Sequence, residues 1–526
     1  MKFKLIVLYL CLISSNLFSN PVRDIVIIFG GNNARGAGLI ADLDSTLVHY
    51  ESNIDIWNNS SHQSGSWEGL VIGQNNNAMP HGDYGLEVSL LDQMTLRPSA
   101  NLSVIKITFE GSLFKRWHYS ADTIPAHYLD RLIAQIAAVK THARANNEDI
   151  RFRGIIYDHG FYASQIDSNS VPPLPSRAEH YIACRKLAFY LRFVAAQSNL
   201  PFAIFGESNE GSLPSQYISR QEVAHINSKI PNYIDLCTFF ESGPTTNYIF
   251  ANRHIFDSPT LHGISDNIAA YFNNHLSDPV ENFDTLGVTN TYLLSGQSNM
   301  VGWGTIDELP NDEKKFGNTR IWNNSENTYQ ALKLGDNNNG AQPFLFGIEA
   351  PIGHQIYYHQ LGLTHIVKSA FGGTSLFGAW NAEGNHMGVS LRRTQREVLQ
   401  HAEFLFRRDL KPIYKSFVWI QGQSDAAVEE RALQYEENLG GLIDYVRSLT
   451  GQDELKAIVT QTHNRINTYP YMGTVRAAQA AVCTTANFCE LIDEDECVLN
   501  GPTCALDSLG NIDYVIPLTS ALWGAF

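Results

Sequence analysis

The 526-residue chain is short of several things, and each shortage closes off a class of protein. Beyond the first few residues no stretch reaches eighteen uninterrupted apolar residues, so no membrane-crossing helix is expected after the leader. Basic residues are scarce, 37 Lys and Arg against 53 Asp and Glu, for a formal charge of −16. A surface this acidic argues against nucleic acid or an anionic membrane as a partner, and says little about a neutral sugar or ester. There is no Cys-x-x-Cys pair. The late cysteines Cys483, Cys489, Cys497 and Cys504 are separated by six, eight and seven residues, which is not the spacing of a zinc knuckle, and no metal site is expected.

What is present begins with a leader. Lys2 and Lys4 precede the apolar run LIVLYLCLI at 5–13, and Ser14, Ser15 and Ser19 supply small residues before Asn20. That is the pattern of a signal peptide over residues 1–20, too short for a stable membrane anchor, and it predicts a secreted, extracellular or periplasmic protein. With Cys11 in the leader, Cys184 and Cys237 remain in the first half and four cysteines in the second. An even count per half in an exported chain predicts one possible disulfide and then two.

The remaining chain repeats itself. IVIIFGGNNARG at 25–36 is answered by TYLLSGQSNMVG at 291–302, and IDIWNNS at 54–60 by TRIWNNS at 319–325. Gly85 to Glu87 is answered by Gly347 to Glu349, each before an apolar stretch. VIKITFEGSLFKRW at 104–117 corresponds to HIVKSAFGGTSLFGAW at 365–380, GIIYDHG at 154–160 to SFVWIQG at 416–422, and FAIFGESN at 202–209 to KAIVTQTHN at 456–464. Ordered echoes of this kind point to a tandem duplication, with units over 21–286 and 287–526.

In the second unit, strands are predicted at 291–295, 365–370, 415–420 and 455–461, with amphipathic helices at 388–405 and 428–449. Strands alternating with helices predict an α/β fold of two tandem three-layer α/β/α units with parallel central sheets. The ligand site of such a sheet lies in loops at the carboxyl ends of its strands.

Ser298 stands in such a loop, in SGQSNMVGWG after the first strand. Gly296 permits a tight turn, and a helix beginning near Asn299 or Met300 leaves amide groups free to face an oxyanion. A serine after a strand also serves as a plain helix cap.

GQSNM, AFGGTSL, WIQGQSDA and VRAAQ, in this order and spacing, resemble the sialate O-acetylesterase and acetylxylan esterase group of the SGNH hydrolase superfamily. The likeness covers nearly all of 290–526 and, in degenerate form, 24–285. It implies a flavodoxin-like fold, a serine esterase acting on acetylated carbohydrate or small esters, and no cofactor. It implies Ser298 as nucleophile and an oxyanion hole from the amides of Ser298 and Gly373 with a polar group of the third block, Gln421. Gln297, Asn299, Thr374 and Asp425 fall where the family shapes its pocket, and Arg476 and Gln479 where it supports the site. Trp303 and Trp380 are candidates for stacking on a sugar, with core or rim packing as the alternative for each.

The group ends with an aspartate three residues before a histidine; the histidine takes the serine proton and the aspartate fixes its tautomer. Here Asp513 fits the acid, but Ile516 stands at the histidine position. Three readings stay open: another histidine, such as His463 or His354, serves as surrogate base; the unit is an inactive relative; or the C-terminus is incomplete, since Phe526 follows Ile516 by ten residues while the first half runs from His262 through an apolar helix to about residue 275. His463, just after the strand at 455–461, is on the correct edge of the sheet.

The first unit is remodelled throughout. Asn32 stands at the nucleophile position, Glu110, Gly111 and Ser112 replace the second block, and Phe161 follows the third-block glycine. It keeps His262 at the terminal histidine position but has Pro259 where the aspartate belongs, with Asp257 two residues too early. A structural partner is one reading; the other is a glycan-binding unit using Trp57, Trp67 and Trp117. Asparagine-rich segments at 53–77 and 323–340 predict flexible loops, and Asn58, Asn59, Asn101 and Asn323 begin glycosylation sequons.

Overall fold

The computed structural model describes residues 21–31, 34, 54–58, 65–72, 85–94, 96, 100–109, 117, 128–158, 177–198, 200–205, 237–240, 266, 268–270 and 272–273 of the first half, and 286–312, 314–337, 343–382, 387–463 and 469–493 of the second. The leader, Asn32, Asn59, Glu110 to Ser112, Phe161, Asp257, Pro259, His262, Cys497, Cys504, Asp513 and Ile516 lie outside the described residues. The chain divides into two compact units, Met1–Ala188 with Asn199–Val280, and Phe189–Ser198 with Glu281–Phe526.

The first unit is built on strands β1 (Val22–Gly30), β2 (Ile54–Asn58), β3 (Ser66–Gly69), β4 (Ala100–Thr108), β5 (Asp149–Asp158), β6 (Phe202–Phe205) and β7 (Cys237–Phe240), in the sheet order β3-β2-β4-β1-β5-β6-β7. The second has β8 (Gly287–Gly296), a short β9 (Gly304–Thr305), β10 (Thr319–Asn323), β11 (Thr328–Ala331), a short β12 (Leu345–Phe346), β13 (Thr364–Ala370), β14 (Leu410–Ile420), β15 (Lys456–Gln461) and β16 (Cys489–Asp493). Its main sheet runs β11-β10-β13-β8-β14-β15-β16, the first order repeated strand for strand. Even the irregularity between the two central strands recurs, as a register shift at Ile25/Val26 in one unit and at Tyr414/Ser416 in the other.

The sheets are mixed, which corrects the expectation of parallel ones. At one edge of each, β2–β3 and β10–β11 pair antiparallel. In the second unit the reason is local. Asn323 Oδ1 accepts the Ser325 amide at 3.0 Å and the Glu326 amide at 3.3 Å, and Asn327 takes a φ of 50°, so the start of the asparagine-rich segment is a tight hairpin turn rather than a flexible loop.

Apolar alternation assembles the layers of the second unit. Leu294, Ile366, Val418 and Ile458 join Ile352 and Ile356 of helix Glu349–Tyr358 in one core. The alternate residues Leu293, Val367, Phe417 and Trp419 point to the opposite face, where Ser369 meets Thr394 of helix Val389–Phe406 and Trp419 meets Tyr435 of helix Tyr435–Thr450. The mutually parallel strands β10-β13-β8-β14-β15-β16, numbered in chain order, run 2-3-1-4-5-6, so strands added after β8 lie first on one side of it and then on the other. The crevice outside the carboxyl end of that strand is the switch point where such sheets hold ligands.

Cys483 and Cys489 form a disulfide that ties the last turn of helix Met472–Thr485 to β16. In the first unit the expected bridge is not made: Cys184 is a buried thiol, packed as a small apolar side chain on helix Arg177–Ala195.

Candidate active site

Three turns meet at the carboxyl edge of the second sheet. β8 ends at Gly296, which takes a φ of 153° and lies so close to β14 that an added Cβ would sit 2.1 Å from the Ile420 carbonyl oxygen. Gln297 N donates to that carbonyl at 3.0 Å, and Phe371 N, just past β13, donates to Gly296 O at 3.0 Å. This stitching delivers Ser298 between the ends of β13 and β14, half-buried, where helix Ser298–Val301 begins. Among the described residues no hydrogen bond engages its hydroxyl or its amide.

The second turn carries Gly372 and Gly373. Both are exposed, Gly373 has a φ of 70°, and nothing lies within 4 Å of where its Cβ would be. Among the described residues its amide has no acceptor either. Two unengaged amides, on Ser298 and Gly373, thus stand on the turns that leave the adjacent parallel strands β8 and β13, which are spaced about 4.8 Å apart.

The third turn follows β14 with Gln421, Gly422 and Asp425. Gln421 is fully buried, and its side-chain amide donates to Thr374 O at 3.1 Å and to Asp425 Oδ2 at 2.5 Å, while its Oε1 accepts Tyr435 OH at 2.9 Å. Both amide hydrogens are therefore committed inside the protein, and in this arrangement the side chain has none left for an oxyanion. Asp425, also fully buried, accepts the Leu376 amide at 2.8 Å and the Phe377 amide at 3.0 Å. Burial pushes its carboxyl above the ordinary range; the Phe377, Gln421 and Leu376 hydrogen bonds and the Arg431 charge oppose that push.

Gln297 is buried, its side chain bonded to Gln423 at 2.6 Å and to the Ser424 amide at 3.4 Å, so it bridges the first and third turns. Asn299 is half-buried beside Ser298. Thr374 Oγ1 donates to Phe371 O at 2.7 Å and accepts the Trp380 indole at 2.8 Å. Gln479 donates to Gln421 O at 2.9 Å and accepts the Thr462 amide at 3.0 Å, and Arg476 donates to Thr462 O. His463 is half-buried one residue beyond Thr462, past β15, two strands from β8. His354 lies in helix Glu349–Tyr358, its ring near those of Tyr357 and Tyr358.

The aromatic candidates divide. Trp303, five residues after Ser298, is 36% exposed. Trp380 is 0% exposed, edge-on to Trp419 at 5.1 Å, and has no face for a sugar. Trp57 and Trp117 of the first unit are core residues for the same reason: their side chains are the largest available to fill the space beside the sheet. Trp67 is half-buried, edge-on to Trp57 at 5.0 Å and covered by the Arg23 guanidinium at 4.8 Å.

Two features escaped the sequence reading. Tyr435, a fully buried phenol, contacts Gln421, Trp419 and Gln479 at once; in the sequence it is one aromatic at the start of a helix. In the first unit Asp158 ends the strand equivalent to β14, where the second unit has Ile420, and its carboxylate accepts the Ala34 amide at 3.1 Å. The DHG segment alone signalled a carboxylate there, but not its partner. Among the described residues no cluster of three or more metal-ligating side chains occurs, and no helix is long and apolar enough to cross a membrane.

Residues 288–519 match the family model described as carbohydrate esterase, sialic acid-specific acetylesterase. The second unit carries a carbohydrate-esterase-like domain. Among curated proteins the chain has no match. Solved structures similar to parts of it include a protein from Arabidopsis thaliana, at 17% identity over 45% of this chain and 98% of that one with a TM-score of 0.36. A carbohydrate acetylesterase from Xanthomonas citri is similar at 13% identity over 45% of this chain and 55% of that one, with a TM-score of 0.32. NanS is similar at 14% identity over 49% and 98%, with a TM-score of 0.35.

Proposed function

We propose that the second unit is a serine esterase that removes O-acetyl groups from carbohydrate, with an acetylated sialate, xylan or related glycan as substrate. The observation that carries the reading is Ser298 at the switch point of the sheet, with its own amide and that of Gly373 unengaged on the adjacent turn. The five strands β13-β8-β14-β15-β16, which run 2-1-3-4-5 once the edge-side parallel strand β10 is set apart, and the family match over 288–519 support assignment to the flavodoxin-like SGNH hydrolases.

In this reading Ser298 Oγ attacks the acetyl carbonyl carbon while its proton passes to a base. The amides of Ser298 and Gly373 stabilise the tetrahedral oxyanion. Collapse breaks the bond to the sugar oxygen, which takes the proton; water then hydrolyses the acetyl-serine, releasing acetate and restoring the hydroxyl. Gln421 holds the Gly373 loop instead of donating to the oxyanion. With Ile516 at the family's histidine position, we assign the base to His463, and Asp513 to its family role as the acid. Arg476 supports the turn after β15, and Trp303 faces the sugar. No metal or organic cofactor enters the chemistry.

We further infer that the two units arose by tandem duplication, supported by the repeated strand order, and that residues 1–20 direct export. The first unit, with Asn32 for the nucleophile and Asp158 bonded to the adjoining turn, is a non-catalytic partner.

Ile516 favours a second reading, a glycan-binding protein without turnover. Hydrolysis of a small aryl acetate by the full-length protein, lost in Ser298→Ala, supports the esterase; binding of acetylated oligosaccharide with no hydrolysis above that of Ser298→Ala supports the binder.

A further inference from the structure

We propose that Asp425 and Tyr435 are positioning residues for ester cleavage: the carboxylate pins the loop that carries Gly373, and the phenol fixes the Gln421 side chain that ties this loop to β14. The proposal rests on the esterase reading and goes beyond it in naming what sets the oxyanion amide in place.

The tip of the loop has little packing of its own, although Leu376 behind it is fully buried. Gly372 and Gly373 are exposed with open space around them, so hydrogen bonds must define its shape. Phe371 N holds its start to Gly296 O, and three of its anchors between Thr374 and Phe377 come from the third turn: Gln421 to Thr374 O, and Asp425 to the amides of Leu376 and Phe377. A fully buried carboxylate whose carboxyl is pushed upward by burial is costly, and an apolar residue there would leave two amides without acceptors. Tyr435 OH reaches both Gln421 O and Gln421 Oε1 at 2.9 Å, so the far end of the side chain is held and its amide hydrogens point at Thr374 and Asp425.

The two units separate fold from chemistry. Both keep a buried lysine–glutamate pair, Lys106 with Glu87 and Lys368 with Glu349. The offset that carries Lys106 onto Lys368 places His159 at Gln421 and Ala163 at Asp425. The lysine–glutamate pair stands in both units, whereas the sequence of the first unit has neither Gln421 nor Asp425 of the clamp.

The test uses the full-length protein, Asp425→Asn and Tyr435→Phe, with active-site titration by an activated phosphonate, KM for an aryl acetate, and amide hydrogen exchange. A displaced oxyanion donor costs up to two or three powers of ten, so a loosened one is expected to lower the phosphonylation rate constant per titrated site roughly 10- to 100-fold, with KM within about threefold. The Leu376 and Phe377 amides are expected to exchange faster in Asp425→Asn while β13 amides do not. Should Asp425→Asn fail to fold, Tyr435→Phe, which keeps the ring, decides alone. A reduced titre with an unchanged rate constant per site would show a merely structural role and overturn the proposal. A parent protein that is not phosphonylated at Ser298 overturns the esterase reading and the proposal with it; a labelled parent with unaffected variants overturns the proposal alone.

Discussion

Lys368 Nζ lies 2.6 Å from Glu349 Oε2 with both side chains fully buried, and Lys106 stands in the same relation to Glu87 at 2.9 Å. Lys368 also donates to Val301 O at 2.7 Å, and Glu349 accepts the Gly347 amide at 2.8 Å, so one ion pair links β13, the helix that begins at Ser298 and the start of helix Glu349–Tyr358. Lys368→Met removes the cation paired with the buried Glu349 carboxylate, and is expected to cost roughly 3–5 kcal/mol. Glu349→Met with Lys368→Met is expected to cost less than the single change. Urea denaturation measures both; a single-mutant loss below about 1 kcal/mol contradicts the assignment.

Glu397 gives the second unit a pH signature. Burial pushes its carboxyl from an ordinary 4.5 up to about 8, against a Ser369 hydrogen bond, the Arg393 charge and an Asn324 hydrogen bond. Folded protein therefore keeps a proton that unfolded chain releases, and this contribution to stability falls as pH rises from 4.5 to 8. Glu397→Gln removes the effect; the same chain offset places neutral Gln135 there in the first unit, accepting the Trp57 indole at 2.7 Å. The variant's melting temperature minus the parent's is expected to climb from pH 5 to pH 8. Burial holds His365 at about 4 and His401 at about 3, with the opposite pH slope, which cancels in the difference. A difference that does not change with pH contradicts the prediction.

Exposure sorts two tryptophans. Trp380→Ala, deleting a fully buried ring, is expected to lower stability by roughly 3–5 kcal/mol. Trp303→Ala is expected to leave the melting temperature close to the parent's and to raise KM for an acetylated oligosaccharide roughly 3- to 10-fold, more than for an aryl acetate, from lost stacking. Equal effects on the two substrates count against a sugar contact at Trp303.

Much of the second unit was legible because each central strand carries a short apolar core (YLL, IV, FVWI and AIV): 291–295, 365–370, 415–420 and 455–461 lie within or nearly within β8, β13, β14 and β15. The edge hairpins were not, since an antiparallel pair closed by side-chain bonds of Asn323 carries no periodicity a parallel scheme expects. Ser298 and Gly373 were readable from glycine-bearing turns after strands. Gln421 was read for its chemistry, but its commitments depend on Thr374, Asp425 and Tyr435, which only folding brings together. Trp380 failed as a sugar platform because burial is a property of packing, not of residue type.

The most direct test of the account is covalent labelling of Ser298. The purified full-length protein, treated with an activated phosphonate and analysed by intact mass and peptide mapping, is expected to take up one equivalent, located on Ser298 and absent in Ser298→Ala, at a rate above that of any other serine in the chain. Failure to label Ser298, or equal labelling of the Ser298→Ala protein, contradicts an activated serine at the switch point.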